Sequence, residues 1–205
     1  MKQVLTFGLF IFLFFIKGIS QMPFTFKLGG NIATTKGLIQ YPKNRIGFYT
    51  GFSSELKINK KFSLKPELIY STKGERATVS GGDQTNALRF NYSNLPLLVS
   101  FNADERTKFL IGPEFGYLLS AKYIISKNNI DVSANYPQRY DVGTLVGIEY
   151  RLSQFCSVEA RYIYGFNTLY YEDYAGIRHL KTNGANRVFQ LGLAFSMIHL
   201  KQNKK

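Results

Sequence analysis

Glutamates and basic side chains, placed at every second position of apolar segments, are the residues of this sequence that could do chemistry. The set comprises Glu55, Lys65, Glu67, Glu114, Lys122, Glu149, Arg151, Glu159 and Arg161. Carboxylates that converge on a narrow space could exchange protons or line a path for cations. Because cations share these positions, and because an unpaired charge in a confined interior is costly, we interpret the set as a mutually neutralising ionic network.

The two histidines and the single cysteine offer no defined site. His179 has Glu172 and Asp173 close by in the sequence, which would suit a Ser-His-acid hydrolase, but no nucleophile motif accompanies them. Neither His179 nor His199 has a companion at the spacing of metal ligands. Cys156 has no disulfide partner and is interpreted as a small apolar residue. The sequence therefore predicts no catalytic centre, no metal and no cofactor.

The N-terminus has the pattern of an export signal. Lys2 precedes an apolar segment from Val4 to Ile16, and the small residues Gly18 and Ser20 follow it. This pattern predicts a signal peptide over residues 1–20. One domain over residues 21–205 is expected after it, because no linker or change of composition divides the remainder. A retained anchor helix is the alternative, although a helix that spans a membrane needs about 20 apolar residues.

The net charge narrows the class of partner. The chain carries a formal net charge of +13, which in a cytoplasmic protein would suggest nucleic acid. An exported protein leaves the compartment that contains nucleic acid. We therefore expect no nucleic-acid binding, and contact with anionic lipid surfaces or acidic ligands instead.

Alternation of apolar and polar residues predicts an all-β fold, because side chains two residues apart share one face of a strand. Eight strands are predicted, over residues 24–32, 46–58, 62–70, 88–101, 108–125, 140–152, 158–166 and 189–196. Pro66 cannot donate to a ladder, so a bulge or a non-bonded position is expected near it. A second bulge is expected near Ser93, where the apolar residues change from even to odd numbers. That bulge would keep the preceding apolar residues on the outer face, namely Leu88, Phe90 and Tyr92.

The connections between these strands alternate in length. The short ones are residues 59–61, 102–107 and 153–154, and the long ones are residues 34–45, 73–87, 126–139 and 168–185. Outer-membrane barrels have an even number of antiparallel strands, short periplasmic turns and long extracellular loops. The sequence therefore predicts an eight-stranded, antiparallel, up-and-down transmembrane β-barrel in the bacterial outer membrane. A soluble barrel or sandwich of eight strands is the alternative.

The distribution of charge separates these two folds. Charged residues, with Lys27 and Lys57 among them, lie on the strand parity opposite the large apolar residues. Eight strands enclose an interior only just wide enough for side chains, and the bulky apolar set suits lipid better than that interior. The face of each strand that carries the large apolar residues is therefore expected to point outward. Aromatic girdles are expected at the strand ends, from Phe24, Tyr70, Phe101, Tyr123, Tyr140, Tyr150 and Phe166.

Several short motifs, taken in order, resemble the PorT-like outer-membrane β-barrel family. They are Lys27-Leu28-Gly29-Gly30-Asn31, Lys65-Pro66-Glu67-Leu68, Asn94-Leu95-Pro96-Leu97, Gly112-Pro113-Glu114-Phe115-Gly116, Asp141-Val142-Gly143 and Glu159-Ala160-Arg161-Tyr162. The resemblance covers nearly all of the mature chain. It implies an eight-stranded outer-membrane barrel, in a family whose namesake is linked to protein secretion. The chain departs from such barrels where Phe195 is followed by a basic tail rather than ending the protein.

Three functions remain open at this point. The first is a non-catalytic barrel with a plugged lumen, embedded in outer-membrane lipids, whose long loops contact other envelope or secretion proteins. Aromatic residues in those loops suit an interface, namely Tyr41, Tyr136, Tyr170, Tyr171 and Tyr174. The second is a narrow passive channel for small solutes, and the third is an outer-membrane lipid hydrolase.

Overall fold

The computed structural model describes residues 24–36, 43–78, 85–125, 128–166 and 185–197. The predicted signal peptide lies outside these residues. The strands are β1 (Phe24–Lys36), β2 (Lys43–Ser54), β3 (Leu56–Lys57), β4 (Phe62–Thr78), β5 (Thr85–Asn102), β6 (Thr107–Ile125), β7 (Asn128–Asp131), β8 (Tyr140–Arg151), β9 (Cys156–Gly165) and β10 (Ala185–Ser196), and a 3-10 helix spans Ser133–Asn135. Within the described residues, no helix has the length and apolar character needed to cross a membrane.

The strands form one closed antiparallel barrel. Each long strand pairs with its neighbour in the chain, and β1 closes the ring by pairing with both β2 and β10. Two short strands add to the eight that make the wall: β3 continues the edge of β2 along β4, and β7 folds back from the following loop onto β6. The predicted eight-stranded, all-β barrel is confirmed.

The wall extends further at one end than the sequence predicts. Residues 73–78 continue β4 and pair with β5 down to Thr78 opposite Thr85, so most of the loop expected over 73–87 is strand. β1 likewise runs on to Lys36, and β10 begins at Ala185. These extensions lack apolar alternation, which is why the pattern misses them. Main-chain hydrogen bonds hold them regardless of the side chains.

The expected bulge near Ser93 is absent, and the assignment of Leu88, Phe90 and Tyr92 to the outer face is wrong. These three side chains are buried inside the barrel. β5 keeps one phase throughout, and the irregularity lies instead in β6, where Leu119 is the extra residue between the pairs Asn91↔Ser120 and Tyr92↔Leu118. Because a one-residue bulge reverses the faces beyond it, Tyr123 and Lys122 exchange sides relative to the prediction.

Pairing is interrupted next to Pro66, at the non-bonded position that the sequence predicts there. The β4–β5 ladder is present at Pro66↔Leu97 and resumes at Ile69↔Asn94, with no paired residues between them and no change of register. The two missing pairs would join Glu67 to Pro96 and Leu68 to Leu95, and Pro96, like Pro66, lacks an N–H.

The outer surface is a belt of exposed apolar side chains, bordered by aromatic residues. Aromatic contacts lie near one end between Phe26 and Phe52 and between Phe62 and Phe101, and near the other between Phe48 and Tyr70 and between Tyr117 and Tyr140. The stretch from Tyr140 to Tyr150 rises roughly 25 Å along the barrel axis, at about 3.3 Å per residue and a tilt of about 40°, which matches the apolar band of outer-membrane barrels. Of the predicted girdle residues, Tyr123 is the exception, because it packs inside the barrel against buried side chains that include Phe90 and Tyr136.

This belt predicts a dependence on depth for a charge placed on the outer face. Val146→Arg, in the middle of β8 and on its exposed outer face, should cost about 2–4 kcal/mol of folding free energy in lipid vesicles. Leu152→Arg, in the turn that follows the same strand, should cost about 0–1 kcal/mol, because its head group reaches water. Urea unfolding, followed by heat-modifiable gel migration, measures both values. Equal costs would contradict a lipid-facing belt.

Candidate functional site: ionic clusters in the barrel interior

The barrel interior collects charged residues because the strands have period-two alternation. Lys27 of β1, Glu67 of β4, and Glu159 and Arg161 of β9 all point inward, and their side chains are at most 1% exposed. Neighbouring strands carry glycine at this level. A Cβ at Gly192 would lie 2.3 Å from the Tyr49 hydroxyl oxygen. The missing side chain is therefore what lets a tyrosine and four charged groups share the space between eight strands.

These five side chains, Lys27, Tyr49, Glu67, Glu159 and Arg161, form what we call the central cluster. Arg161 binds Glu67 with both terminal nitrogens, at 2.8 and 3.1 Å, and donates to Glu159 at 2.7 Å. The Lys27 ammonium donates to Glu67 at 2.6 Å and to Glu159 at 2.8 Å. The Tyr49 hydroxyl donates to the second oxygen of Glu159 at 2.8 Å. The two cations and two carboxylates balance, so the cluster is neutral as a unit.

Further ion pairs lie on either side of the central cluster. Toward the short turns, Lys65 pairs with Glu149, and Lys108 contacts Glu55 at 2.6 Å in a more exposed position. Toward the long loops, the Lys73 ammonium lies 2.8 Å from Glu114, 3.9 Å from Asp141 and 3.3 Å from the Asn94 amide oxygen. The interior charges are thus arranged in separate layers rather than one continuous network.

Apolar groups fill the interior between and beyond these layers. One buried cluster consists of Ala33, Leu98, Leu110, Leu145, Ile163 and Val188. A second cluster, which we call the upper apolar cluster, lies at the end that carries the long loops and consists of Leu88, Phe90, Tyr92, Leu118, Ala121 and Tyr136. Tyr136 belongs to the loop after β7, and its ring packs edge-on against Phe90 at 5.0 Å. Tyr136 is only 1% exposed, so its predicted role as a partner-contacting loop residue is wrong.

The predicted site residues divide into two groups. Seven are held in ion pairs inside the barrel: Glu55, Lys65, Glu67, Glu114, Glu149, Glu159 and Arg161. The other two lie outside these clusters. Arg151 is exposed at the last position of β8. Lys122 follows the bulge at Leu119, so it lies on the face opposite the buried Ala121.

Four interior residues were not assigned to the network from the sequence. Lys27 lies on the predicted inward face but outside the predicted network, and Tyr49 and Asp141 lie in the predicted strands 46–58 and 140–152 without a place in that network. Lys73 falls in the predicted loop over residues 73–87. The signal that could have found Lys73 is the continued alternation of polar residues at Ser71, Lys73 and Glu75 beyond the last apolar position of β4.

The chemistry open to these carboxylates is limited. Each carboxylate of the central cluster is bound by two cations, which removes the free acid or base that proton transfer would need. Glu75 differs, because its carboxylate is buried and neither oxygen has a hydrogen-bond partner. No group of three His, Cys, Asp or Glu residues within the described ranges could hold a metal ion. His179 and His199, with Glu172 and Asp173, lie outside those ranges.

A closed barrel with an apolar belt, aromatic borders and an ionic interior defines the class of small outer-membrane β-barrel proteins. The family model described as outer membrane protein beta-barrel domain matches residues 20–171. The chain belongs to this family, and its location is the bacterial outer membrane. The PorT-like assignment is finer than this match and stays a prediction.

Solved structures share the fold at low sequence identity. Neisserial surface protein A (NspA) is 14% identical, with a TM-score of 0.58, over 85% of this chain and 97% of NspA. Ail, the attachment invasion locus protein of Yersinia pestis, is 15% identical, with a TM-score of 0.48, over 86% of this chain and 99% of Ail. No curated protein matches the chain. These likenesses concern the fold alone.

The central cluster predicts strong coupling between its members. Arg161→Met and Glu159→Gln should each cost about 3–5 kcal/mol of unfolding free energy, because each leaves an uncompensated buried charge. The double variant keeps the Lys27–Glu67 pair and a neutral cluster, so it should cost at least about 1 kcal/mol less than the sum. Urea unfolding in lipid vesicles gives these values. Lys108→Met, at the more exposed pair, is the control and should cost less than either central variant, because water reaches this pair. Additive costs would show that the cluster does not act as a unit.

Proposed function

We propose that this protein is a non-catalytic outer-membrane barrel with a plugged lumen, which presents its loops to other envelope proteins. The observation that carries the proposal is the central cluster. Its five side chains are buried inside the barrel and contact one another through direct hydrogen bonds of 2.6 to 3.1 Å. Apolar layers lie beside it and at the loop end. A barrel filled in this way favours a structural or binding role over the transport of solutes.

We also propose that the chain is a PorT-like member of its family, with a role in secretion or envelope assembly. Support comes from where the residues of the resembling motifs lie. Lys27, Glu67, Glu114, Asp141, Glu159 and Arg161, which come from five separate motifs, all take part in the interior ion pairs. The motifs thus share one task, the filling of the lumen, which leaves outer-membrane lipids on the belt and protein partners at the barrel ends.

The plugged lumen predicts no ion conductance. The purified full barrel, inserted in a planar bilayer, should give no current steps above the leak in concentrated KCl, while a porin in the same chamber gives them. The Glu67→Ala/Arg161→Ala double variant keeps the remaining Lys27–Glu159 pair neutral and removes much of the central cluster. Current steps from this variant alone would identify the central cluster as the block. Regular steps from the wild-type protein would favour the narrow channel and overturn the proposal.

The partner-contacting role predicts crosslinks from the loop end of the barrel. Ile130 in β7 is 49% exposed, and Ile58 in the turn at the opposite end is 67% exposed, so they form a matched apolar pair. A photo-crosslinking amino acid at Ile130 should give a discrete protein adduct in intact cells. The same substitution at Ile58 should give none. Adducts from Ile58 alone would place the partner on the periplasmic side and contradict a role for the extracellular loops.

A further inference from the structure

Four basic side chains line the outer surface of the wall beyond the apolar belt. Arg89 of β5 pairs in register with Lys122 of β6, and Arg76 of β4 pairs with Lys43 of β2. The residues beside them in the chain show which face they occupy: Glu75, Phe90 and Ala121 are fully buried inside. Strand alternation therefore directs Arg76, Arg89 and Lys122 outward. We call Lys43, Arg76, Arg89 and Lys122 the outer basic row.

Within the described ranges, no acidic side chain forms an ion pair with the cations of this row. None of the four forms an ion pair with another described residue, and the buried Nε of Arg89 has no hydrogen-bond partner. Arg45, which pairs with the buried Ala33, lies close enough to Arg76 and Arg89 to be repelled by both and does not neutralise them. The neighbouring acid is Asp131, opposite Lys122, and its carboxylate accepts a hydrogen bond from the Ser133 N–H at 2.8 Å. Like charges held side by side on a sheet are destabilising unless an anion joins them.

The depth of the row suits a lipid headgroup. The aromatic residues at the long-loop side of the belt, Phe48, Tyr70, Tyr117 and Tyr140, form what we call the upper aromatic border. Ser93 is paired with Tyr70 of this border, and Arg89 lies four residues toward the long loops along β5. This places Arg89 roughly 10 Å above the border, at about 3.3 Å per residue and a tilt of about 40°. The polar headgroup zone occupies this level outside the hydrocarbon core. Guanidinium groups bind phosphate with two parallel hydrogen bonds, and an ammonium adds a point charge.

We propose that the outer basic row binds the phosphate groups of an anionic glycolipid in the outer leaflet. The site lies on the lipid side of the wall, apart from the lumen and the loop tips, so it is independent of the function proposed above. Part of the positive net charge of the chain is then explained as a binding site for anions at the membrane surface. It also accounts for the position of Lys122, which the bulge at Leu119 turns away from the interior ion pairs.

The test uses the full mature chain in detergent, with bound lipid counted by native mass spectrometry. The probes are lipid A with two phosphates, the same lipid with both phosphates removed, and inorganic phosphate. The wild-type protein should retain the phosphorylated lipid in preference to the other two. Arg89→Gln/Lys122→Gln should lower that affinity about fivefold for each cation removed. Lys60→Gln/Lys61→Gln, in the turn at the opposite end, should leave it unchanged, and Asp131→Asn should raise it.

Two further outcomes decide the source of the anion and guard against misfolding. Retention of both forms of the lipid alike, or competition by inorganic phosphate at low concentration, would overturn a lipid phosphate site. A salt titration of the wild-type protein needs no variant: affinity for the phosphorylated lipid should fall as salt rises, and a salt-independent affinity would overturn the proposal. Heat-modifiable gel migration confirms that each variant is folded before binding is compared.

Discussion

The pairing of every wall strand on both sides is the constraint on which the rest of this structure depends. Hydrocarbon offers no partner to a free N–H or C=O, so a sheet can cross a membrane only when it has no edge. Here β1 removes both edges by pairing with β2 on one side and β10 on the other. Once the ring is closed with eight strands, its width is fixed. The closed backbone therefore fixes the space that the inward side chains have to fill.

Glycines and paired charges allow the inward side chains to fit the fixed width of the lumen. Gly29 and Gly192 leave room for the ring and hydroxyl of Tyr49, which in turn supplies a hydrogen bond to Glu159. The bidentate contact of Arg161 with Glu67 uses both terminal nitrogens of the guanidinium and both oxygens of the carboxylate. Burial of an ion pair costs a large free energy of desolvation. Several hydrogen bonds between the charged groups offset that cost. The arrangement favours a rigid plug over groups that are free to react.

The polarity of the wall reverses along the barrel axis. At membrane depth, apolar residues such as Phe115 and Ile148 face outward, and charges face the lumen. Beyond the upper aromatic border, Phe90 and Leu118 face inward, and Arg76 and Arg89 lie on the other face. The same hydrophobic effect accounts for both halves, because the surroundings of the outer face change from lipid to water. The bulge at Leu119 helps β6 to make this change within one strand.

The sequence alone determined the strand count, the closed all-β architecture and most of the charged residues that face the lumen, because period-two alternation records which face of each strand meets lipid. It could not show that Lys122 leaves the interior or that Lys73 enters it. The first depends on a one-residue bulge, and the second on main-chain pairing in a stretch without apolar alternation. The sequence also could not show which charges pair within the central cluster, because Lys27, Glu67 and Glu159 come from three strands far apart in the chain. Only closure of the ring brings the Lys27 ammonium within 3 Å of both carboxylates, because closure decides which inward side chains share a level.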